Sequence, residues 1–435
     1  MTNEIIKLLA SSEKEINGCI NVPGDKSISH RAIIISSITE GKTQINQYLD
    51  SDDINATIDV CRHIDAEIEK ENESLIIRGN NLERIRREDI ELNFGNSGTS
   101  MRLMMGVLSA QKFSSVLKGD ESLTKRPMNR VTNPLLRMNA DIKTSDGKPP
   151  VYLNPVSFLK CVDHTIEIAS AQIKSSIMLA GLYGDSAFKI ITPQSRDHTE
   201  IMLKEFGCNI SVKADSIEVE PGKLISPNHI EVPGDISSAA FYIVGSIISK
   251  DSQIRIENVG LNPLRTGFIK ILEMMGANIQ ISNERTINGE IIGDIYTESS
   301  LLNGIEIPKE LISSSIDELP LIVLAASQAN GKTSIRNAEE LRVKESDRIL
   351  SMIRMMDKFR IMTDEFSDGM NIYGGLIKGA RVNSHGDHRI AMTAIMASLV
   401  SDGDILVEDC KNIDTSFPTF IDIANNIGMD IKIND

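Results

Sequence analysis

The sequence predicts an α/β protein made of six copies of one helix–turn–strand unit, arranged as two similar halves of three. Two observations carry this: one junction recurs six times at near-regular spacing, and a Val-Pro-Gly-Asp turn returns 210 residues after its first appearance. A third is the apolar fraction, 41% of 435 residues, which is enough to fill real cores. At roughly 100–200 residues per domain, two domains are the simplest count.

The junctions read His63-Ile64-Asp65-Ala66-Glu67-Ile68, Met138-Asn139-Ala140-Asp141-Ile142 and Phe206-Gly207-Cys208-Asn209-Ile210 in the first half. The second half continues with Met275-Gly276-Ala277-Asn278-Ile279, a looser Asp357-Lys358-Phe359-Arg360-Ile361, and Ile427-Gly428-Met429-Asp430-Ile431. Consecutive marker isoleucines lie 68 to 82 residues apart. A Gly or Asn after the last helical turn is a C-cap signal, and the small residue after it lets the chain reverse into a strand. The longer echo pairs Val22-Pro23-Gly24-Asp25-Lys26-Ser27 with Val232-Pro233-Gly234-Asp235-Ile236-Ser237, three units apart. Chance recurrence explains one such joint; six in register argue for true repetition.

A net charge of −15 sets the surface as a whole against nucleic acid and anionic membranes. No stretch approaches the ~20 uninterrupted apolar residues of a membrane helix, and the mixed-charge stretch from Met1 to Glu15 lacks a signal-peptide plan. A cytoplasmic protein is expected. The five cysteines (Cys19, Cys61, Cys161, Cys208, Cys410) are scattered and form no C-x-x-C pair, which argues against a disulfide framework and a zinc site.

Against that acidic background, Lys and Arg gather beside turns that open apolar helices. These are Gly24-Asp25-Lys26-Ser27-Ile28-Ser29-His30-Arg31, Gly95-Asn96-Ser97-Gly98-Thr99-Ser100-Met101-Arg102, Ser170-Ala171-Gln172-Ile173-Lys174, Ser315-Ile316-Asp317-Glu318, Val343-Lys344-Glu345-Ser346-Asp347-Arg348 and Gly386-Asp387-His388-Arg389. Exposed N–H groups and the positive dipole end make helix starts natural anion sites. Arginine adds a bidentate fork for phosphate and carboxylate, and lysine a mobile point charge. Together with Arg126 and Arg196, these cations suit ligands bearing several acidic groups. Each element also has a plain structural reading. Lys26 could be solvated and Ser27 a simple N-cap. Asp317 could be a cap, with Ser315 and Glu318 as a capping box. Glu345 and Arg348, at i and i+3, could be a surface ion pair, and Asp387 another charged cap. His385 and His388 have the spacing of two metal ligands but no evident third, so no metal is expected. Gly41-Lys42-Thr43 and Gly331-Lys332-Thr333 mimic the end of a Walker A loop, but Ser36 and Ala326 stand where its first glycine is required.

Taken together, the motifs resemble a known family. Pro23-Gly24-Asp25-Lys26-Ser27-Ile28-Ser29-His30-Arg31-Ala32 resembles the N-terminal signature of the 3-phosphoshikimate 1-carboxyvinyltransferase, or EPSP synthase, family. Gly95-Asn96-Ser97-Gly98-Thr99 with Arg102, Leu341 to Arg348, and Gly386-Asp387-His388-Arg389-Ile390-Ala391-Met392 are similar to its later signatures. Lys125-Arg126-Pro127-Met128 and Ser170-Ala171-Gln172 come in the family's order, so the resemblance spans nearly the whole chain.

The resemblance implies two similar inside-out α/β domains, each of three βαβαββ units, joined by two crossover strands near Gly24 and Gly234. Residues 25–234 would form one domain and residues 1–24 with 235–435 the other, with substrates bound in the cleft between them. It implies transfer of the enolpyruvyl group of phosphoenolpyruvate to the 5-hydroxyl of 3-phosphoshikimate by addition and elimination, in the shikimate pathway toward chorismate and aromatic amino acids. The family needs no metal or organic cofactor, and a monomer acting on two small molecules is expected. Residue by residue, 3-phosphoshikimate would be held by Lys26, Ser27, Arg31, Ser170, Ala171, Gln172, Arg196, Asp317 and Lys344. Phosphoenolpyruvate would be held by Lys26, Gly98, Arg126, Gln172, Arg348 and Arg389. Lys26, Asp317 and Glu345 would be catalytic, with Asp317 as base toward the hydroxyl and Glu345 as proton donor to C3. Gly98 implies sensitivity to glyphosate, which relatives with Ala there crowd out. Three positions depart from the commonest family pattern. Thr415 stands where many relatives carry Lys just before Phe-Pro, Glu340 stands for Asn, and Ser195-Arg196-Asp197-His198 replaces a Ser/Tyr arrangement.

Two rival readings remain. The enolpyruvyl transferase acting on UDP-N-acetylglucosamine shares the six-unit fold, but it relies on a loop cysteine that Lys118 to Met128 lacks. A non-catalytic repeat scaffold binding nucleic acid is opposed by the acidic balance.

Overall fold

Each of the six junctions closes its helix in the same way. In the computed structural model, which describes residues 7–11, 15–80 and 89–434, the residue after each helix takes a left-handed backbone. These are Asp65 (φ 69°), Asn139 (69°), Gly207 (80°), Gly276 (102°), Arg360 (64°) and Gly428 (118°). The next residue's N–H reaches back five positions: Ala66 to the Cys61 carbonyl, Ala140 to Leu135, Cys208 to Leu203, Ala277 to Leu272, Ile361 to Met356 and Met429 to Ala424, all at 2.8–3.2 Å. This is the Schellman closure, which satisfies carbonyls left open at a helix end. The residues on both sides of each closing bond are apolar, which accounts for the small or apolar side chain in every junction. Most of the Met1–Glu15 stretch lies outside the described residues.

The strands beyond each joint repeat as well. Ile68, Ile142, Ile210, Ile279 and Ile431 lie in strands, while Ile361 falls two residues short of Thr363–Phe366. Among the described residues, five sheets have four strands with one pattern: a parallel edge strand, a central strand, then two strands paired antiparallel. His229–Glu231 runs parallel to Lys42–Asn46, which pairs antiparallel with Ser74–Arg78 and so with Glu67–Glu71. Ile90–Asn93, Ser115–Lys118, Lys148–Asn154 and Asp141–Ser145 repeat the order, as do His164–Thr165, Phe188–Ile191, Ser216–Val219 and Ile210–Lys213. Asn17–Asn21 takes the parallel edge beside Gln253–Gly260, and Lys7–Ala10 sits between Ile405–Glu408 and Ile431–Asn434. The sixth sheet, Lys332–Ile335, Gly369–Tyr373 and Thr363–Phe366, has three strands, its parallel edge reduced to bridges such as Glu306 to Ser334.

The chain divides into two units. One comprises Gly24–Val232 with Thr286–Glu290, and the other Met1–Pro23, Pro233–Arg285 and Ile291–Asp435. The short Thr286–Glu290 segment spans the tip of the hairpin between Asn278–Ile287 and Glu290–Glu298. Each unit has its own core. Some helices are buried nearly all round: every residue of Leu319–Ser327 is buried, and so are ten of the twelve in Lys26–Ser37, whereas Asp52–His63 buries six of twelve and Asn129–Arg137 three of nine. A helix apolar on every side belongs in an interior, while the strands alternate between buried and exposed positions. The helices buried nearly all round therefore sit inside and the sheets outside. Helices Gly98–Leu108 and Ala171–Gly181 approach closely at Gly106, where an added Cβ would lie 2.2 Å from the Ser176 carbonyl oxygen. Among the described residues, no helix is long and apolar enough to cross a membrane.

The junction carries a direct test. Gly207 has φ +80° and nothing within 4 Å of an added Cβ, whereas Gly222 has equally open space without the left-handed backbone. Gly207→Ala should therefore lower unfolding stability by about 1–2 kcal/mol. Gly222→Ala should be neutral or stabilising by about 0.4–1 kcal/mol. Urea unfolding of both variants reads the difference.

Candidate functional site

In the first unit the predicted residues sit at helix starts tied to one another. Gly24 leaves no room for a side chain, since a Cβ there would fall 1.9 Å from the Gln47 carbonyl oxygen. The chain then enters the Lys26 helix capped by Asp25, whose carboxylate accepts from the Ile28 N–H at 2.9 Å. The N-cap is thus Asp25 and not Ser27, because the helix begins two residues earlier than a Ser cap would require. Lys26, half-buried, pairs with Asp53 at 2.5 Å. Arg31 is buried: Nη1 donates to the Ser27 carbonyl (2.8 Å), Nε to Thr199 Oγ1 (2.6 Å) and Nη2 to Ser175 Oγ (3.2 Å).

Ser97 caps the Gly98 helix by accepting from the Ser100 N–H at 3.2 Å. His30 joins this cap to the Lys26 helix: Nε2 lies 3.3 Å from Ser97 Oγ and Nδ1 2.8 Å from Thr57 Oγ1. Burial first, then the charges of Lys26 and Arg31, push the His30 pKa well below its ordinary value, so the ring is neutral. Across the next helix start, Arg102 Nη1 donates to Gln172 Oε1 (2.8 Å) and Gln172 Nε2 to Thr99 Oγ1 (2.9 Å). Arg126 donates to the Asn96 side-chain oxygen. A Cβ on Gly98 would stand 3.0 Å from Arg102 Nη1 and 3.2 Å from Arg126 Nη1, so glycine keeps two guanidinium groups clear at this helix start. Ser170 caps the helix carrying Ala171 and Gln172. Arg196 is half-buried in the turn before His198–Glu205.

In the second unit the five predicted residues form a single bonded cluster. Arg348, 1% exposed, donates through Nη2 to Glu345 Oε2 (2.7 Å), through Nε to Asp387 Oδ2 (2.9 Å) and through Nη1 to Asp317 Oδ1 (3.4 Å). Lys344 Nζ lies 3.7 Å from the same Asp317 oxygen. Arg389 Nη1 donates to the Asp317 carbonyl (2.9 Å) and stands 3.5 Å from Glu318 Oε1. Burial alone would favour neutral Arg348, but the charges of Asp387, Glu345 and Asp317 outweigh it and hold the guanidinium above its ordinary pKa. Burial would likewise raise Asp387; the charge of Arg348 prevails and keeps it lowered.

Two plain readings are corrected here. Glu345 and Arg348 are no surface pair, because Arg348 is wholly buried among three carboxylates. Asp317 is no cap: Ser315 ends the helix Lys309–Ser315, and the next helix starts at Leu319 with no side-chain cap bond. Asp387 does cap its helix, accepting from the Arg389 N–H at 3.0 Å, and binds Arg348 as well. Sequence reasoning missed the counter-charges Asp53 and Glu318 and assigned no role to Asp387 beyond its cap. Asp53 stands beside no motif, and Glu318 and Asp387, read as cap residues, carry no local sign of their distant partners.

A family model for EPSP synthase (3-phosphoshikimate 1-carboxyvinyltransferase) matches residues 11–423. Relatives called 3-phosphoshikimate 1-carboxyvinyltransferase include those of Hydrogenovibrio crunogenus, 47% identical over 96% of each chain, and Legionella pneumophila strain Lens, 43% identical over 96% of this chain and 97% of the other. The solved EPSP synthase of Acinetobacter baumannii superposes with a TM-score of 0.88 at 40% identity, covering 99% of this chain and 100% of that one. The enolpyruvyl transferase NikO of Streptomyces tendae, 14% identical with a TM-score of 0.80 over 99% of each chain, shares the fold.

The charges lead to two expected outcomes. Asp387→Asn keeps the cap but removes a charge from buried Arg348, and should cost roughly 3 kcal/mol in urea unfolding. Asp347→Asn, at a more exposed cap, should cost under about 1 kcal/mol. The pKa of His30 is lower folded than unfolded, so its contribution is whole above the ordinary value of about 6.5 and is lost as pH falls toward the folded value. The urea midpoint should therefore drop between about pH 7.5 and 5.5, and His30→Gln should flatten that slope.

Proposed function

Since the chain belongs to the EPSP synthase family, the 3-phosphoshikimate 1-carboxyvinyltransferases, we propose that it transfers the 1-carboxyvinyl group of phosphoenolpyruvate to the 5-hydroxyl of 3-phosphoshikimate, releasing phosphate. The observation that carries this reading is the single cluster of Asp317, Lys344, Glu345, Arg348 and Arg389, two carboxylates among three cations, at positions that match the family's signatures.

Under this reading the acceptor's 5-hydroxyl adds to C2 of phosphoenolpyruvate while C3 takes a proton, giving a ketal that bears both phosphate and acceptor. C3 then returns a proton as the C2–O bond to phosphate breaks, leaving the enol ether and inorganic phosphate. Asp317 accepts the hydroxyl proton, with Lys344 and Arg348 beside its carboxylate. Glu345 donates to C3. Its link to Arg348 suggests how a carboxylate comes to carry that proton. The carboxylate of phosphoenolpyruvate competes for the same Nη2, and a Glu345 displaced from its cation and desolvated gains proton affinity. Arg348 and Arg389 hold phosphoenolpyruvate, aided by Lys26, Gly98, Arg126 and Gln172. Ser27, Arg31, Ser170, Ala171, Gln172, Arg196, Asp317, Lys344 and Lys26 hold 3-phosphoshikimate. Charge contacts placed before the reaction stabilise the ketal without reorganising. The glycine at 98, where a Cβ would press on Arg102 and Arg126, supports glyphosate sensitivity. The working form is a cytoplasmic monomer acting on two small molecules.

Phosphate release from phosphoenolpyruvate, measured with and without 3-phosphoshikimate, tests the reading. Release should require the acceptor; release that ignores it, or none, overturns the assignment. Glu345→Gln should cut kcat by roughly a hundredfold or more.

A further inference from the structure

Outside the residues assigned above, one ion pair is buried beneath the segment carrying Arg196. Lys174 Nζ lies 2.5 Å from Glu200 Oε1, with side chains only 4% and 3% exposed, and donates to the Ser195 carbonyl at 3.0 Å. Lys174 stands one turn into the helix that Ser170 caps, its own N–H donating to the Ser170 carbonyl at 3.3 Å. Glu200 is in the first turn of His198–Glu205. One ammonium thus ties the start of the helix bearing Ala171 and Gln172 to the backbone next to Arg196. The neighbouring residues continue the seam: Ser175 Oγ lies 2.6 Å from Thr199 Oγ1, and Arg31 donates to both hydroxyls.

A buried ion pair is a poor source of stability, because desolvating two charges offsets most of their attraction and an apolar replacement is often as stable. Burial indeed raises the Glu200 pKa in spite of Lys174. What the pair supplies is a fixed geometry: a charged donor holds the Ser195 carbonyl, and so the start of the Arg196 side chain, at a set distance from Ser170 and Gln172.

We propose that Lys174, anchored by Glu200, is a positioning residue that sets Arg196 against the phosphate of the acceptor. This rests on the reading that Arg196 and the Ser170 helix start hold 3-phosphoshikimate.

The test is a cycle between the neutral double variant Lys174→Met/Glu200→Gln and Arg196→Gln. KM for both substrates, kcat and thermal unfolding are measured for each. The double variant should keep the native Tm to within a few degrees and kcat within about threefold, while KM for 3-phosphoshikimate rises ~10-fold or more and KM for phosphoenolpyruvate stays within about twofold. Adding Arg196→Gln should cost no more than Arg196→Gln alone, since both act through one contact. An unchanged KM for 3-phosphoshikimate in the double variant, or additive losses in the cycle, would overturn the positioning role while leaving the Arg196 assignment intact. An Arg196→Gln variant with native KM overturns that assignment and the proposal with it. Should the double variant fail to fold, Glu200→Gln alone, which frees Lys174 from its anchor, carries the same expectation and the same refutation.

Discussion

The backward hydrogen bond that ends each of six helices is the constraint on which the rest depends. Each of these helices is only partly buried and ends with carbonyls that have no partner in the helix, so the chain satisfies them within a residue or two and then changes direction. The left-handed residue and the five-position bond do both, and they lead each of these helices on into the next strand. Repeated three times in each unit, the joint hands a partly buried helix on to the strand that follows it. Arg360 shows how strong the demand is: a long side chain accepts a conformation that favours glycine, and the bond from Ile361 to Met356 still forms at 2.9 Å.

Helices buried along their length present their starts as the polar features of each unit, and the side-chain charges there are held by partners. Lys26 has Asp53, Lys344 has Asp317, Arg389 has Glu318, and Arg348 has three carboxylates. Under the proposed function, an incoming acid would exchange with these carboxylate partners.

The departures from the family pattern have local explanations where the structure shows them. Thr415 donates to the Asn412 carbonyl at 2.7 Å, and the neighbouring Phe417 packs against Tyr242 and Phe420, so this stretch serves the core. The three-stranded sheet accompanies the looser fifth junction, where the marker isoleucine stops short of its strand.

The sequence by itself determined the repeat, the helix starts and the family. Gly, Asn, Asp and Pro at turns, and apolar residues beside them, act over a few neighbouring positions, and those are visible in a linear string. Only the tertiary structure decided that Asp25 rather than Ser27 is the cap, that Asp317 is a partner of Lys344 and Arg348, and that Glu345–Arg348 is a buried contact. It alone showed that Lys174 meets Glu200, 26 residues away, under Ser195. The physical reason is range. Backbone conformation is set by neighbours, whereas a charge takes whatever opposite charge the fold brings near, and burial determines how much that meeting matters.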